Sequence, residues 1–137
     1  MYKVAIYFFA LSLAVACSGK TNEFGSEKVI KSGNAGGMTI RISSASGELR
    51  KGPNDLTITF VDEAGQPADV TAASLNFNMP AMGSMAEMND KASLTTTTTP
   101  GKYNARVEIQ VPGTWEAQVK FQTPKTSGET SMTVQAK

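Results

Sequence analysis

The chain has 137 residues, enough for one domain and an appendage, with 13 Lys and Arg set against 12 Asp and Glu. So even a balance lacks the clustered basic residues that nucleic-acid binding rests on, and nucleic acid is not expected as a partner. There is no histidine, which removes the usual general base and the commonest metal ligand, and the single cysteine, Cys17, rules out an internal disulfide.

Met1 to Cys17 reads MYKVAIYFFALSLAVAC. Lys3 supplies a short positive lead, and Val4 to Ala16 is apolar apart from Tyr7 and Ser12. That length suits the apolar core of an export signal and falls short of the ~20 residues a spanning helix needs. Small or modest side chains at Ala14, Val15 and Ala16 precede the cysteine. The segment resembles a bacterial lipoprotein signal over residues 1–16, which implies that Cys17 is lipidated and becomes the first residue of the mature chain. Leu13 departs from that pattern by sitting one place further from the cysteine than the usual leucine. The alternative is an ordinary secretory signal cleaved at the A-x-A-like run Ala14 to Ala16. Acyl chains, at about 0.8 kcal/mol per buried methylene, would hold the protein at a membrane. The implied location is the cell envelope, on its extracytoplasmic side. Ser18, where an aspartate would signal retention, resembles outer-membrane sorting in a host with two membranes, and so places the protein on the periplasmic side.

Residues 17–37 form the expected lipidated tether. Ser18 to Gly37 is rich in Gly, Ser, Asn and Lys, with Phe24, Val29 and Ile30 as scattered apolar positions. It shows neither strand nor helix periodicity and suits a flexible spacer. Val29-Ile30 is the one place where a short edge strand is an alternative.

From Met38 the apolar residues alternate: Met38, Ile40, Ile42; then Leu56, Ile58, Phe60; then Ala73, Leu75, Phe77, Met79. Leu94 with its threonine run, Tyr103 to Val111, Trp115 to Phe121 and Met132 to Ala136 follow. A period of two is what half-buried strands require. Turn residues separate the runs at Gly52-Pro53-Asn54, Glu63-Ala64-Gly65-Gln66-Pro67, Pro100-Gly101, Pro112-Gly113 and Thr126-Ser127-Gly128. About seven short strands with turns roughly every 8–12 residues predict an all-β, immunoglobulin-like antiparallel sandwich over residues 38–137. Trp115 and Tyr103 are expected in the core, the tyrosine hydroxyl capping a turn. Thr95 to Thr99 is expected as a solvated edge strand.

Asn76 to Met88, NFNMPAMGSMAEM, carries a methionine at every third position: Met79, Met82, Met85 and Met88. Pro80 ends the strand and Gly83 argues against a helix. In an extended left-handed turn of about three residues, all four side chains would share one side. Their thioethers are then candidate ligands for a soft ion, Cu(I) or Ag(I), in preference to Cu(II) or Zn(II). Glu87 and Asp90 are close by in sequence and are not required. Two readings compete with a metal site. The methionines are an adaptable apolar plug over the open end of the sandwich, Met79 continuing the buried face of its strand. Or they form an exposed patch for a protein partner.

Two segments, Leu56 to Met85 and Pro100 to Phe121, carry an x-D-x-x-G-x-P turn, a strand ending in M-P-x-M-G, then G-x-Y and P-G-x-W. In order and spacing they resemble the YtkA-like domain, a small immunoglobulin-like envelope module related to FixH-like proteins. The resemblance implies an extracytoplasmic β-sandwich. It also implies copper handling, with a metal-efflux or other envelope protein as partner. Met79 and Met82 match the family's two methionines. Ser84 stands where many relatives carry histidine, which weakens a Cu(II) reading and leaves Cu(I) dependent on Met85 and Met88. The function expected is a membrane-anchored, non-enzymatic binding module. The alternative is a structural or interaction module of an envelope complex without metal. No nucleophile elbow or phosphate-cradling loop points to an enzyme.

Overall fold

The computed structural model describes residues 27–137, and every regular element in them is a strand. In chain order these are β1 (Lys28–Ala35), β2 (Met38–Ser44), β3 (Gly52–Val61), β4 (Ala72–Met79), β5 (Met88–Lys91), β6 (Ser93–Thr96), β7 (Lys102–Ile109), β8 (Gly113–Gln122) and β9 (Ser127–Ala136). They form a five-stranded sheet of order β1-β2-β3-β7-β6 and a four-stranded sheet of order β5-β4-β8-β9, each strand pairing antiparallel with its neighbours. Setting β1 aside, β2 to β9 follow the A-B-E-D and C′-C-F-G arrangement of immunoglobulin sandwiches. The all-β sandwich expected from the alternation is the one found.

The alternating side chains meet between the sheets. Ile40, Ile58, Phe60, Leu75, Phe77 and Trp115 are each at most 1% exposed. Burying a side chain of this kind contributes about 1.5–3 kcal/mol, so these positions carry much of the stability. Phe60 stacks edge-on with Tyr103 at 6.0 Å and with Phe121 at 5.5 Å between ring centroids. Two polar tips in this region are satisfied. Trp115 Nε1 donates to the Val111 carbonyl at 3.0 Å, and the Tyr103 hydroxyl donates to the Val70 carbonyl at 2.8 Å. Burial, with the Asp69 carboxylate adding to it, raises the Tyr103 pKa and keeps that hydroxyl protonated as a donor. The G-x-Y glycine is equally structural: at Gly101 (φ +73°) an added Cβ would lie 2.3 Å from the Ala68 carbonyl oxygen.

Three features depart from the sequence reading. The domain begins ten residues before Met38, because the end of the assigned tether is β1. A Gly36-Gly37 turn with φ of 57° and 75° folds β1 onto β2 in the register Asn34↔Thr39, and β1 also packs beside β9. Lys, Ser, Gly and Asn disguise the strand because it lies at an edge, where backbone pairing holds it and most side chains need not be apolar. Gly33 is small for a reason, since a Cβ there would come 3.0 Å from the Met132 sulfur. The alternative of an edge strand at Val29-Ile30 is therefore the one found, and Val29 is 52% exposed. Second, the described residues hold nine strands where about seven were expected. The additional ones are β1 and the short β5, which reaches β6 through buried Ala92 as the chain crosses between sheets. Third, the threonine run is an edge strand only through Thr96, after which Thr97 Oγ1 donates to the Lys102 carbonyl at 2.8 Å and closes a turn. The signal segment 1–16, Cys17 and the tether to residue 26 lie outside the described residues.

Candidate functional site

The methionine-rich stretch is a β-hairpin. Strand β4 delivers Asn76, Phe77, Asn78 and Met79, and β5 returns beside it in the register Asn76↔Lys91, Phe77↔Asp90, Asn78↔Asn89, Met79↔Met88. Pro80 interrupts the ladder, as a residue without an amide hydrogen must. The two chains then pair once more at the tip. The Met82 amide donates to the Met85 carbonyl at 3.1 Å, and the Met85 amide donates to the Met82 carbonyl at 2.9 Å. Gly83 and Ser84 make the turn, with Gly83 at φ +56° in the position where a two-residue hairpin favours glycine. The pairings at root and tip share one register, so the hairpin keeps its phase from end to end.

This geometry replaces the three-residue turn expected from the spacing. In a ribbon of period two, a step of three is odd and changes face. The four methionines therefore divide into two pairs. Met79 and Met88 oppose each other at the root, partly buried and packed against the core. The Met79 methyl lies over Gly113, 3.0 Å from where a Cβ would be. Met82 and Met85 oppose each other at the tip, 70% and 50% exposed. Residues that exchange both hydrogen bonds have Cα atoms about 5.5 Å apart and side chains on one face, so the backbone fixes the outer two side by side. Residues 80–87 are all exposed, making the tip a short apolar projection.

The root is tied by amides that the alternation alone did not reveal. Asn78, 8% exposed, donates to Glu87 Oε1 at 2.6 Å and to Asn89 Oδ1 at 2.9 Å. Asn76 donates to the same Asn89 oxygen at 3.1 Å and to Gln118 Oε1 at 3.2 Å. The N-x-N spacing before Met79 was the available sign, since it puts both amides on the outer face of β4. The clasp engages the Glu87 carboxylate, and Asp90 accepts from the Gln110 backbone and side chain. Each of the two carboxylates nearest the tip thus already accepts a hydrogen bond. Among the described residues no group of three or more His, Cys, Asp or Glu could hold a metal ion. The soft donors at the tip are two neutral thioethers, a pair that fits a soft monovalent ion better than a hard or borderline one.

The two larger hollows among the described residues lie away from the hairpin. One is on the outer face of the five-stranded sheet, beside Asp55, Thr57 and Arg106. The other is at the opposite end of the sandwich, among Asp62, Glu63, Asp69 and Lys125. Neither includes a sulfur of the hairpin, and Asp55 and Arg106 pair with each other at 3.1 Å.

The family model described as YtkA-like matches residues 33–120, well over half of the chain and the whole of the hairpin. No curated protein and no solved structure matches.

Proposed function

The chain belongs to the YtkA-like family, and from that premise we propose that it is a non-enzymatic module of the cell envelope, moored by lipid at Cys17, whose methionine hairpin takes up Cu(I) or Ag(I). The observation that carries the metal reading is the exposed, backbone-paired Met82 and Met85. A fold that wanted these side chains only as packing would cover them, as it does Met79 and Met88. The outer pair supplies two soft donors to an ion that arrives and leaves as cargo, and a partner from the envelope or a metal-efflux system completes or receives it. Met79 and Met88 set the root in place and are not needed as ligands. The anchor reading draws on the apolar segment ending at Cys17. Among the described residues no helix is long and apolar enough to cross a membrane.

Cu(I) titration of the protein against a competing chelator tests the metal role. Replacing both Met82 and Met85 by Leu should weaken binding by about tenfold or more, equivalent to about 1.4 kcal/mol, while the fold is kept. Binding equal to the wild type ends the metal reading. Acyl labelling that Cys17→Ala abolishes supports the anchor, and labelling that survives this change removes it. A second reading keeps the same exposed tip as a docking point for an envelope protein without metal. Pull-downs that lose a partner on the Met82 and Met85 double change, equally with and without copper, would favour it.

A further inference from the structure

The six methionines of the described residues fall into sharply different surroundings. Met38 and Met132 are 7% and 4% exposed, and Met79 and Met88 are packed against the core. Met82 and Met85 stand out at 70% and 50%. Thioethers do not titrate, so what governs their reaction with small oxidants is access to the sulfur lone pairs.

We propose that Met82 and Met85 are a paired site of reversible sulfoxidation, which switches the hairpin tip from soft and apolar to hard and polar without unfolding the sandwich. The oxidant is a peroxide. A sulfur lone pair attacks one oxygen of hydrogen peroxide, an S–O bond forms and the O–O bond breaks. The departing hydroxide takes up the proton of the transferred oxygen and leaves as water, so sulfur loses two electrons and peroxide gains them. A dithiol reductant reverses the step by giving back two electrons and two protons and releasing the oxygen as water. Both directions are chemistry that methionine residues undergo.

The structure makes the modification selective and harmless to the fold. The tip is joined through backbone hydrogen bonds between Met82 and Met85, which do not involve sulfur. The amide clasp at the root involves Asn76, Asn78, Glu87, Asn89 and Gln118, and none of these is oxidised by peroxide. An oxygen added to an exposed side chain meets water. One added to Met132 would meet the β1 backbone, which approaches its sulfur at Gly33. The sulfoxide is a polar hydrogen-bond acceptor and no longer a thioether donor. The modification itself stands whether or not metal binds. Its consequence for Cu(I) rests on the function proposed above.

The test is graded hydrogen peroxide on the full chain, with each methionine followed by peptide mass spectrometry and the fold by thermal melting. Met82 and Met85 should oxidise at least about tenfold faster than Met38 and Met132, as exposure dictates. The melting curve should stay in place, and a methionine sulfoxide reductase with a dithiol should restore the starting mass. Uniform oxidation, faster oxidation of Met79 and Met88, or loss of the folded state as the tip oxidises would each overturn the proposal. Replacing both tip residues by Leu should remove the two fast-added oxygens and leave the slow ones. Cu(I) affinity measured before oxidation separates the two ideas. Tight binding with a tip that resists peroxide sinks only the switch, and fast, reversible oxidation without Cu(I) binding sinks only the metal reading.

Discussion

Met79 with Met88 and Met82 with Met85 are the same kind of pair on the same hairpin, three residues apart, and the fold treats them in opposite ways. The inner pair lies against the core and the outer pair stands in water. Chemistry does not separate them, since all four side chains are identical. Parity does: an odd step along a ribbon of period two changes face, and Pro80 then carries the chain beyond the edge of the sandwich. A repeat of a functional residue in sequence is thus no guide to a shared site until the backbone period is known.

The largest expected effect tests that division directly. Truncating the inner pair, Met79→Ala with Met88→Ala, should lower stability by about 2–4 kcal/mol, toward the low end of core truncations because both residues are only partly buried. The same change at Met82 and Met85 should leave stability within about 0.5 kcal/mol, as for exposed positions without special geometry. Urea unfolding of the two double variants gives both numbers. Equal losses would mean that the tip is packed after all, and the comparison would fail.

A smaller effect should link the two pairs. Asn78→Ala removes the two hydrogen bonds that Asn78 donates, leaving Glu87 Oε1 without that partner while Asn89 keeps Asn76. The cost should be about 1–2 kcal/mol, in the range for deleting a hydrogen-bonded group. If root geometry presents the tip, this variant should also weaken Cu(I) binding although Asn78 is no ligand. Asn78→Asp, which cannot donate when ionised and sets a second carboxylate against Glu87, should behave as badly or worse. Unchanged binding in both variants would mean that the tip holds its shape alone.

The sandwich was readable wherever apolar residues alternate, because a strand with one buried face must advertise it. Leu75 and Phe77 against Asn76 and Asn78 is such a signature, and so is Trp115 to Phe121. β1 was not readable for the converse reason. It is held at an edge by its ladder to β2 and by packing on β9, so Lys28, Lys31 and Asn34 are tolerated along it. At the candidate site the sequence supplied the residues without their grouping. Both a three-residue turn and a hairpin accommodate methionine at every third place, and Gly83-Ser84 closes the chain as a hairpin. The amide clasp was hidden because Asn76 and Asn78 read as ordinary outward residues until β5 is known to lie beside them.

The smallest expected effect concerns the end of the sandwich from which the tip projects. There the C-terminus is fastened by Lys51 donating to the Lys137 carbonyl at 2.8 Å and by Lys137 donating to the Leu49 carbonyl at 2.9 Å. Glu48 adds charge to this seam, pairing with Lys137 and with Arg50 at 3.0 Å. Hydrogen bonding to Lys137 and then to Arg50 holds its carboxyl below the ordinary value of 4.5. A depressed carboxylate contributes stability that is fully present above pH 4.5 and is lost as the pH falls through the folded value. The pairs are open to solvent, so salt should weaken them and the loss should be slight. Acidification across that window should therefore shift the amide resonances of Leu49, Lys51 and Lys137. Met82 and Met85 should not follow, since among the described residues their backbone amides bond to each other and not to the seam. Glu48→Gln should abolish the titration at the C-terminal seam. If the tip amides moved with the same midpoint and lost that response in Glu48→Gln, the hairpin would be coupled to the closure of the chain end. The outer methionine pair would then be no independent projection but part of one cooperative rim.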